Sequence, residues 1–157
     1  MASPTRPGKK GCCSTRTPEQ IQWDWVKLWL ATAEEDLLAA DLILGGSMPS
    51  YRLVSFHAQQ AAEKSLKALL IRHRVEFGRT HNLGELLRLA ETVAHGIDQM
   101  LAEARALTPY AVGARYPGEE PPLDRDQASR HLALARKVLE CAHTLLKPYL
   151  DAGRPGG

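Results

Sequence analysis

Apolar residues recur at three- and four-residue intervals over four long stretches of this chain, and that spacing predicts helices. The first series is Val26, Trp29, Leu30, Ala33, Leu37, Ala40 and Leu44, which keeps to one helical face. Ahead of it, Thr17 is placed as an N-cap, Pro18 at the first helical position and Gln20 where a capping box wants it. Gly45-Gly46 closes helix 1. Met48-Pro49-Ser50 opens helix 2, which is predicted from about 50 to 74. A third series (Leu83, Leu86, Leu87, Leu89, Ala90, Val93) stops at Gly96 and resumes through Ile97, Leu101, Ala104 and Leu107 to Pro109, so the third helix is predicted in two pieces. The last series starts after Asp124, a candidate N-cap. Its positions Ala128, Leu132, Ala135, Leu139, Ala142, Leu146 and Tyr149 alternate four and three apart, a narrow coiled-coil-type seam. No stretch alternates apolar and polar residues as a half-buried strand does. The predicted fold is all-α, an antiparallel up-and-down four-helix bundle with its third helix broken in two, and the seams of helices 1 and 4 are left for self-association.

Helix 2 carries the most distinctive pattern. Gln59, Glu63 and Lys67 recur every four residues, with Glu63 N-terminal to Lys67, the orientation that supports a helix by roughly 0.2–0.5 kcal/mol. Ala58, Ala61, Ala62, Ser65, Ala68 and Leu69 form the opposite strip, small enough for a neighbouring helix to approach closely. Between the third and last helices, residues 110–123 hold three prolines and two glycines and predict a long loop of the kind that often carries function.

Composition narrows the setting. With 157 residues, 44% hydrophobic, the chain builds one domain with a real core. The organisation read from it is a disordered basic leader over 1–16, the bundle over 17–150 and a flexible C-terminal tail over 151–157. A net charge of +2 falls well short of the basic balance that by itself argues for nucleic acid. Cys12 and Cys13 are adjacent in the leader, and Cys141 sits in an apolar helical run, which suits a reducing compartment. The leader lacks the apolar core of a secretory signal, and no apolar run reaches the ~20 residues needed to span a membrane. A cytoplasmic protein with no membrane contact is expected. No histidine pair has ligand spacing on one helix, so no metal is indicated, and no phosphate-cradling glycine loop or other cofactor motif is present.

The order of motifs, FHAQQAAEKSLKALL at 56–70, then Thr80-His81-Asn82-Leu83, a broken helix, and Ala114-Arg115-Tyr116-Pro117-Gly118-Glu119, resembles the HEPN family (higher eukaryotes and prokaryotes nucleotide-binding) from about Trp29 to Leu150. The resemblance implies a helical bundle, commonly a homodimer, of prokaryotic toxin–antitoxin or defence modules, in many cases beside a small nucleotidyltransferase as partner protein. Some members are metal-independent ribonucleases marked by an arginine, four to six intervening residues and a histidine, usually with a polar residue after the arginine. That spacing fits five times here: Arg52 with His57, Arg74 with His81, Arg88 with His95, Arg125 with His131, and Arg136 with His143. Roughly one or two matches arise by chance in a chain of this composition, so location decides. Arg125 and His131 open the last helix after the long loop and are followed, after the arginine, by Asp126. They are the catalytic candidates, His131 as general base toward a ribose 2′-hydroxyl and Arg125 stabilising the phosphorane. The competing reading is a solvated first turn. In a regular helix, six positions leave the two side chains about 120° apart, so convergence needs an irregular first turn or a dimer mate. The family's variant with tyrosine two residues after the histidine is not met, since Ala133 stands there.

Candidate nucleotide or RNA contacts are Arg115, Tyr116, His81 and Lys67. Tyr116 can stack on a base and Arg115 can pair with phosphate, or both can anchor the loop. His81 can contact a ligand or hydrogen-bond across the bundle to the polar stripe of helix 2, while Thr80 or Asn82 caps helix 3. His57 and Gln60 can line a polar cavity or satisfy each other.

Overall fold

The computed structural model describes residues 15–111 and 122–157. Among them there are five α-helices, one 3₁₀ segment and no strand. Helix α1 spans Pro18–Gly45; Gln20 N donates to Thr17 Oγ1 (3.2 Å) and Thr17 N to Gln20 Oε1 (3.0 Å), the expected capping box. Helix α2 spans Tyr51–Arg72, with Ser50 as its N-cap. Helix α3 (Leu83–Glu91) is capped by Asn82, whose Oδ1 accepts from Glu85 N at 3.2 Å. The chain then breaks at Gly96, whose φ of 86° is a left-handed conformation that glycine adopts freely. The Glu91 carboxylate reaches across the break and accepts from Gly96 N (2.8 Å) and Asp98 N (3.0 Å), supplying the side-chain cap that Gly96 lacks for α4 (Ile97–Met100). A 3₁₀ segment over Ala102–Ala111 continues it, tied to the start of α3 by the bond from Leu83 N to Thr108 Oγ1 (3.1 Å). Helix α5 spans Arg125–Asp151 behind a second capping box made by Asp124 and Gln127. The broken third helix of the sequence reading is therefore α3, α4 and the 3₁₀ segment together.

Paired contacts fix the helix directions. Gln22 Nε2 donates to the carbonyls of Ile71 (2.7 Å) and Arg72 (2.9 Å), capping the C-terminus of α2 from the start of α1, so α1 and α2 run antiparallel. Ser55 meets His131, and the Arg72 guanidinium lies 4.2 Å from the Tyr149 ring centre; the near-constant offset makes α2 and α5 parallel. Thirteen of the 22 residues of α2 are buried, against five of 28 in α1 and seven of 27 in α5. α2 is thus the central helix, wrapped by the others, rather than one of four equivalent corners.

Two expectations change with this placement. The Gln59–Glu63–Lys67 stripe, read as the polar face opposite the alanines, is buried as well. The seams of α1 and α5 are also buried within one chain: Val26, Leu30, Ala33, Leu37 and Ala40 of α1 and Ala128, Leu132, Ala135, Leu139, Ala142 and Leu146 of α5 all lie in the core. They close the bundle and are not free for a second copy. The residues after Asp151, expected as a flexible tail, fold back on α1: Pro155 O accepts from Gln20 Nε2 (2.9 Å), and Arg154 grips Asp24 through Nε (2.9 Å) and Nη2 (3.0 Å). That guanidinium, with help from Arg16, holds the Asp24 carboxyl down to a pKa of about 2. No helix among the described residues is long and apolar enough to cross a membrane.

Candidate functional site

Asp124 caps α5, so Arg125 is its first helical residue and the helix is regular from there. Arg125 and Asp126 are exposed, whereas His131 is half-buried. Its Nδ1 lies 2.8 Å from Ser55 Oγ on α2, and its ring sits 4.8 Å from that of Tyr110 in the 3₁₀ segment, tilted by 48°. In a regular helix the two candidates diverge by about 120°, and one chain does not bring them together. Burial, and secondarily the charge of Arg130, pushes the His131 pKa below the ordinary imidazole value. A neutral ring can accept from the Ser55 hydroxyl or donate to it, and one ring nitrogen stays clear of that bond.

This has a measurable consequence. Because the folded pKa lies below the unfolded value near 6.5, the unfolded chain binds more protons between the two, and stability falls as pH is lowered through that window. The melting temperature is expected to drop from pH 7.5 to pH 5, and to drop less in His131→Asn, which keeps a polar atom for Ser55 but does not titrate. Equal slopes in wild type and variant would remove His131 as the source.

The other Arg/His spacings are occupied elsewhere. Arg136 ion-pairs with Asp41, and His143 Nε2 lies 2.8 Å from Glu34 Oε1, so both lace α5 to α1. His57 Nδ1 meets Asp36 Oδ1 at 2.9 Å, while Lys64 Nζ holds the other oxygen at 2.5 Å. This Asp36–His57–Lys64 node was not read from the sequence. Its signal was there: His57 and Lys64 are seven apart and share a face of α2.

Lys67 and His81 converge on one carboxylate. Glu63 Oε1 accepts from Lys67 Nζ at 2.7 Å, His81 Nδ1 lies 3.1 Å from both carboxylate oxygens, and Gln59 Nε2 donates to Oε2 at 2.9 Å and to the His81 carbonyl at 3.3 Å. Gln60 Nε2 completes the chain by donating to Gln59 Oε1 (2.7 Å). Above the pair, the Lys67 ammonium is flanked by the rings of Trp29 (5.6 Å) and Phe77 (5.4 Å), a desolvated arrangement in which cation–π attraction is strongest. Burial drives the Glu63 pKa up, but the bonds from Lys67 and Gln59, the Lys67 charge and the His81 bond outweigh it, leaving the group below the ordinary carboxylate range. Lys67 is only 6% exposed. Its charge is spent inside the bundle, and of the two residues only His81 presents an exposed ring. Arg115 and Tyr116 lie outside the described residues.

The HEPN domain family model matches residues 26–145 of this chain. The chain belongs to the HEPN family. The HEPN match runs from the first core residue of α1 to the last turns of α5 and includes the whole Glu63 node. The crystal structure of ST0689, an archaeal HEPN homologue, superposes on 77% of this chain and 97% of its own with a TM-score of 0.62 at 24% identity, a likeness of fold. No curated protein matches the chain.

Proposed function

We propose that this HEPN protein is a dimeric, non-catalytic interaction module, partnering a small nucleotidyltransferase in a toxin–antitoxin or defence-type pair. The observation that carries the reading is the geometry at the start of α5: Arg125 and His131 lie on different sides of a regular helix, and the His131 ring is held between Ser55 and Tyr110. Supporting it, Lys67 and His81 both engage Glu63, and Lys67, 6% exposed, has its charge turned inward among the described residues.

One observation favours a second reading, a metal-independent ribonuclease. Burial holds the His131 pKa below the ordinary imidazole value, which favours the neutral ring that a general base needs, and a second copy could bring Arg125 to it. Purified protein incubated with single-stranded RNA and a chelator is expected to leave the RNA intact. Cleavage lost in His131→Ala would establish the ribonuclease instead. Co-expression with a nucleotidyltransferase encoded beside it, followed by affinity capture, is expected to recover a stoichiometric complex; recovery of the chain without it would sink the partnership.

A further inference from the structure

Of the 6 histidines in the chain, His81 alone sets a well-exposed ring on a buried carboxylate. Its side chain is 57% exposed, whereas that of Glu63 beneath it is 5% exposed. Against the burial that favours its neutral form, the bonds from Lys67 and Gln59 keep Glu63 ionised, and an ionised carboxylate only accepts hydrogen bonds. His81 Nδ1, 3.1 Å from both oxygens, is therefore the nitrogen that carries the proton. In the neutral ring this leaves the lone pair on Nε2, at the outer edge, because the partner of one ring nitrogen sets the state of the other. The backbone is held too: the His81 carbonyl accepts from Gln59 Nε2 (3.3 Å), and Asn82 N donates to Thr80 Oγ1 (3.1 Å). The other hydrogen-bonded histidines each lack one part of this. His57 is 26% exposed and shares Asp36 with Lys64. His131 meets a hydroxyl, which fixes no tautomer. His143 is bound through Nε2, and His95 pairs with Glu91, whose carboxylate also caps Gly96 and Asp98.

The geometry points to His81 as a nucleophilic acceptor of a phosphoryl group, with Glu63 as its positioning residue, a property of one chain that needs neither a second copy nor a partner protein. Among the described residues no three His, Cys, Asp or Glu side chains are gathered for a metal ion, so the oriented lone pair has no cluster to join and is left to meet an electrophile. The setting suits an anionic one. Arg79, two residues ahead, is exposed, and His81 directly precedes the N-cap of α3, the positive end of that nine-residue helix. The acid of its first turn, Glu85, is engaged by the Thr80 hydroxyl (2.6 Å). With a phosphoramidate as donor the step balances. Nε2 attacks phosphorus, a new N–P bond forms, the donor's own P–N bond breaks, and ammonia departs with that electron pair. No proton moves, since Nε2 has none to lose. The ring becomes cationic, and its Nδ1–H faces Glu63, which stabilises the charge as it develops. Lys67 and Gln59 stay on the carboxylate, so the phosphoryl group is added outside the bundle and the buried node is kept.

The full chain incubated with potassium phosphoramidate and mapped by peptide mass spectrometry is expected to gain its first phosphoryl group on His81. The rate there is expected to be about tenfold that at His95, the low end of what an orienting carboxylate is worth to a histidine it holds. His95, whose side chain is fully exposed, is the control for simple access. The adduct is expected to be acid-labile, as N–P bonds are, and absent from His81→Asn. Glu63→Gln is expected to slow His81 by the same factor and leave His95 unchanged, with circular dichroism to confirm that the variant is folded. Wild-type protein gives a readout that needs no variant: long-range proton–nitrogen correlation by NMR is expected to find neutral His81 protonated on Nδ1. A His81 rate no greater than that of His95, an unchanged rate in Glu63→Gln, or a neutral ring protonated on Nε2 overturns the inference.

Discussion

Replacing Glu63 with alanine is expected to cost about 3–5 kcal/mol, the range found when one partner of a buried ion pair is removed. That is a large part of the roughly 5–15 kcal/mol by which a domain is stable. The reason lies in what remains. The Lys67 ammonium, 6% exposed and enclosed by Trp29 and Phe77, keeps its two rings but loses the Glu63 carboxylate, and Gln59 and His81 lose their shared acceptor. Lys67→Met is expected to cost less, since Glu63 keeps its hydrogen bonds from Gln59 and the exposed His81 ring. Removing both charges at once, Glu63→Leu with Lys67→Met, is expected to recover most of the loss, because two buried charges replaced by apolar groups no longer need each other. The pH dependence has a definite sign: with its folded pKa below 4.5, Glu63 contributes stability above that pH and loses it as pH falls through the folded value. Urea denaturation followed by circular dichroism measures all of these. A Glu63→Ala midpoint equal to wild type would mean that water reaches the pair.

Much of the fold was legible because local signals agreed with the global pattern. The start of α1 followed from Thr17, Pro18 and Gln20, the start of α5 from Asp124, and the break in the third helix from Gly96, each a backbone-level constraint. What could not be read was which faces meet. Periodicity showed that Gln59, Glu63 and Lys67 share a face, but not that α2 is central and that this face too is covered. A buried Glu–Lys pair and a solvent-exposed one have the same spacing, and only the neighbours Trp29, Phe77 and His81 distinguish them. The same limit hid the exposed apolar positions of α1: the core series, Val26 to Ala40, masked Trp25 and Leu28, which lie outside the core.

The candidate residues divide along similar lines. His81 was open between ligand contact and a bond to helix 2, and the bond to Glu63 is present. His57, weighed as a cavity residue, is committed to Asp36. For Arg125 and His131, spacing alone predicted divergence in a regular helix, and the capping box at Asp124 is what makes the helix regular there. The contacts of His131 with Ser55 and Tyr110 were beyond the sequence because they depend on α2 and α5 running side by side in parallel, which few short-range signals encode.

The small residues of α2 lead to a second large effect, expected for Ala62→Leu. Ala58, Ala61, Ala62 and Ala68 are fully buried in a helix enclosed by α1, α5 and the segment after α3. An isobutyl group in place of the methyl at a fully buried position of a close-packed core makes the neighbouring helices separate or side chains leave their rotamers, at about 1–3 kcal/mol and occasionally more. The upper part of that range is expected, because the obstacle is the packing distance between helices along their length, not the flexible end of one side chain. The same substitution at exposed Ala133 isolates packing from helix propensity: leucine is nearly as good a helix former as alanine, so Ala133→Leu is expected to stay within about 0.5 kcal/mol of wild type. Thermal and urea unfolding of the two variants give the comparison. Similar midpoints would show that α2 has room, and that its alanines reflect helix preference rather than close approach.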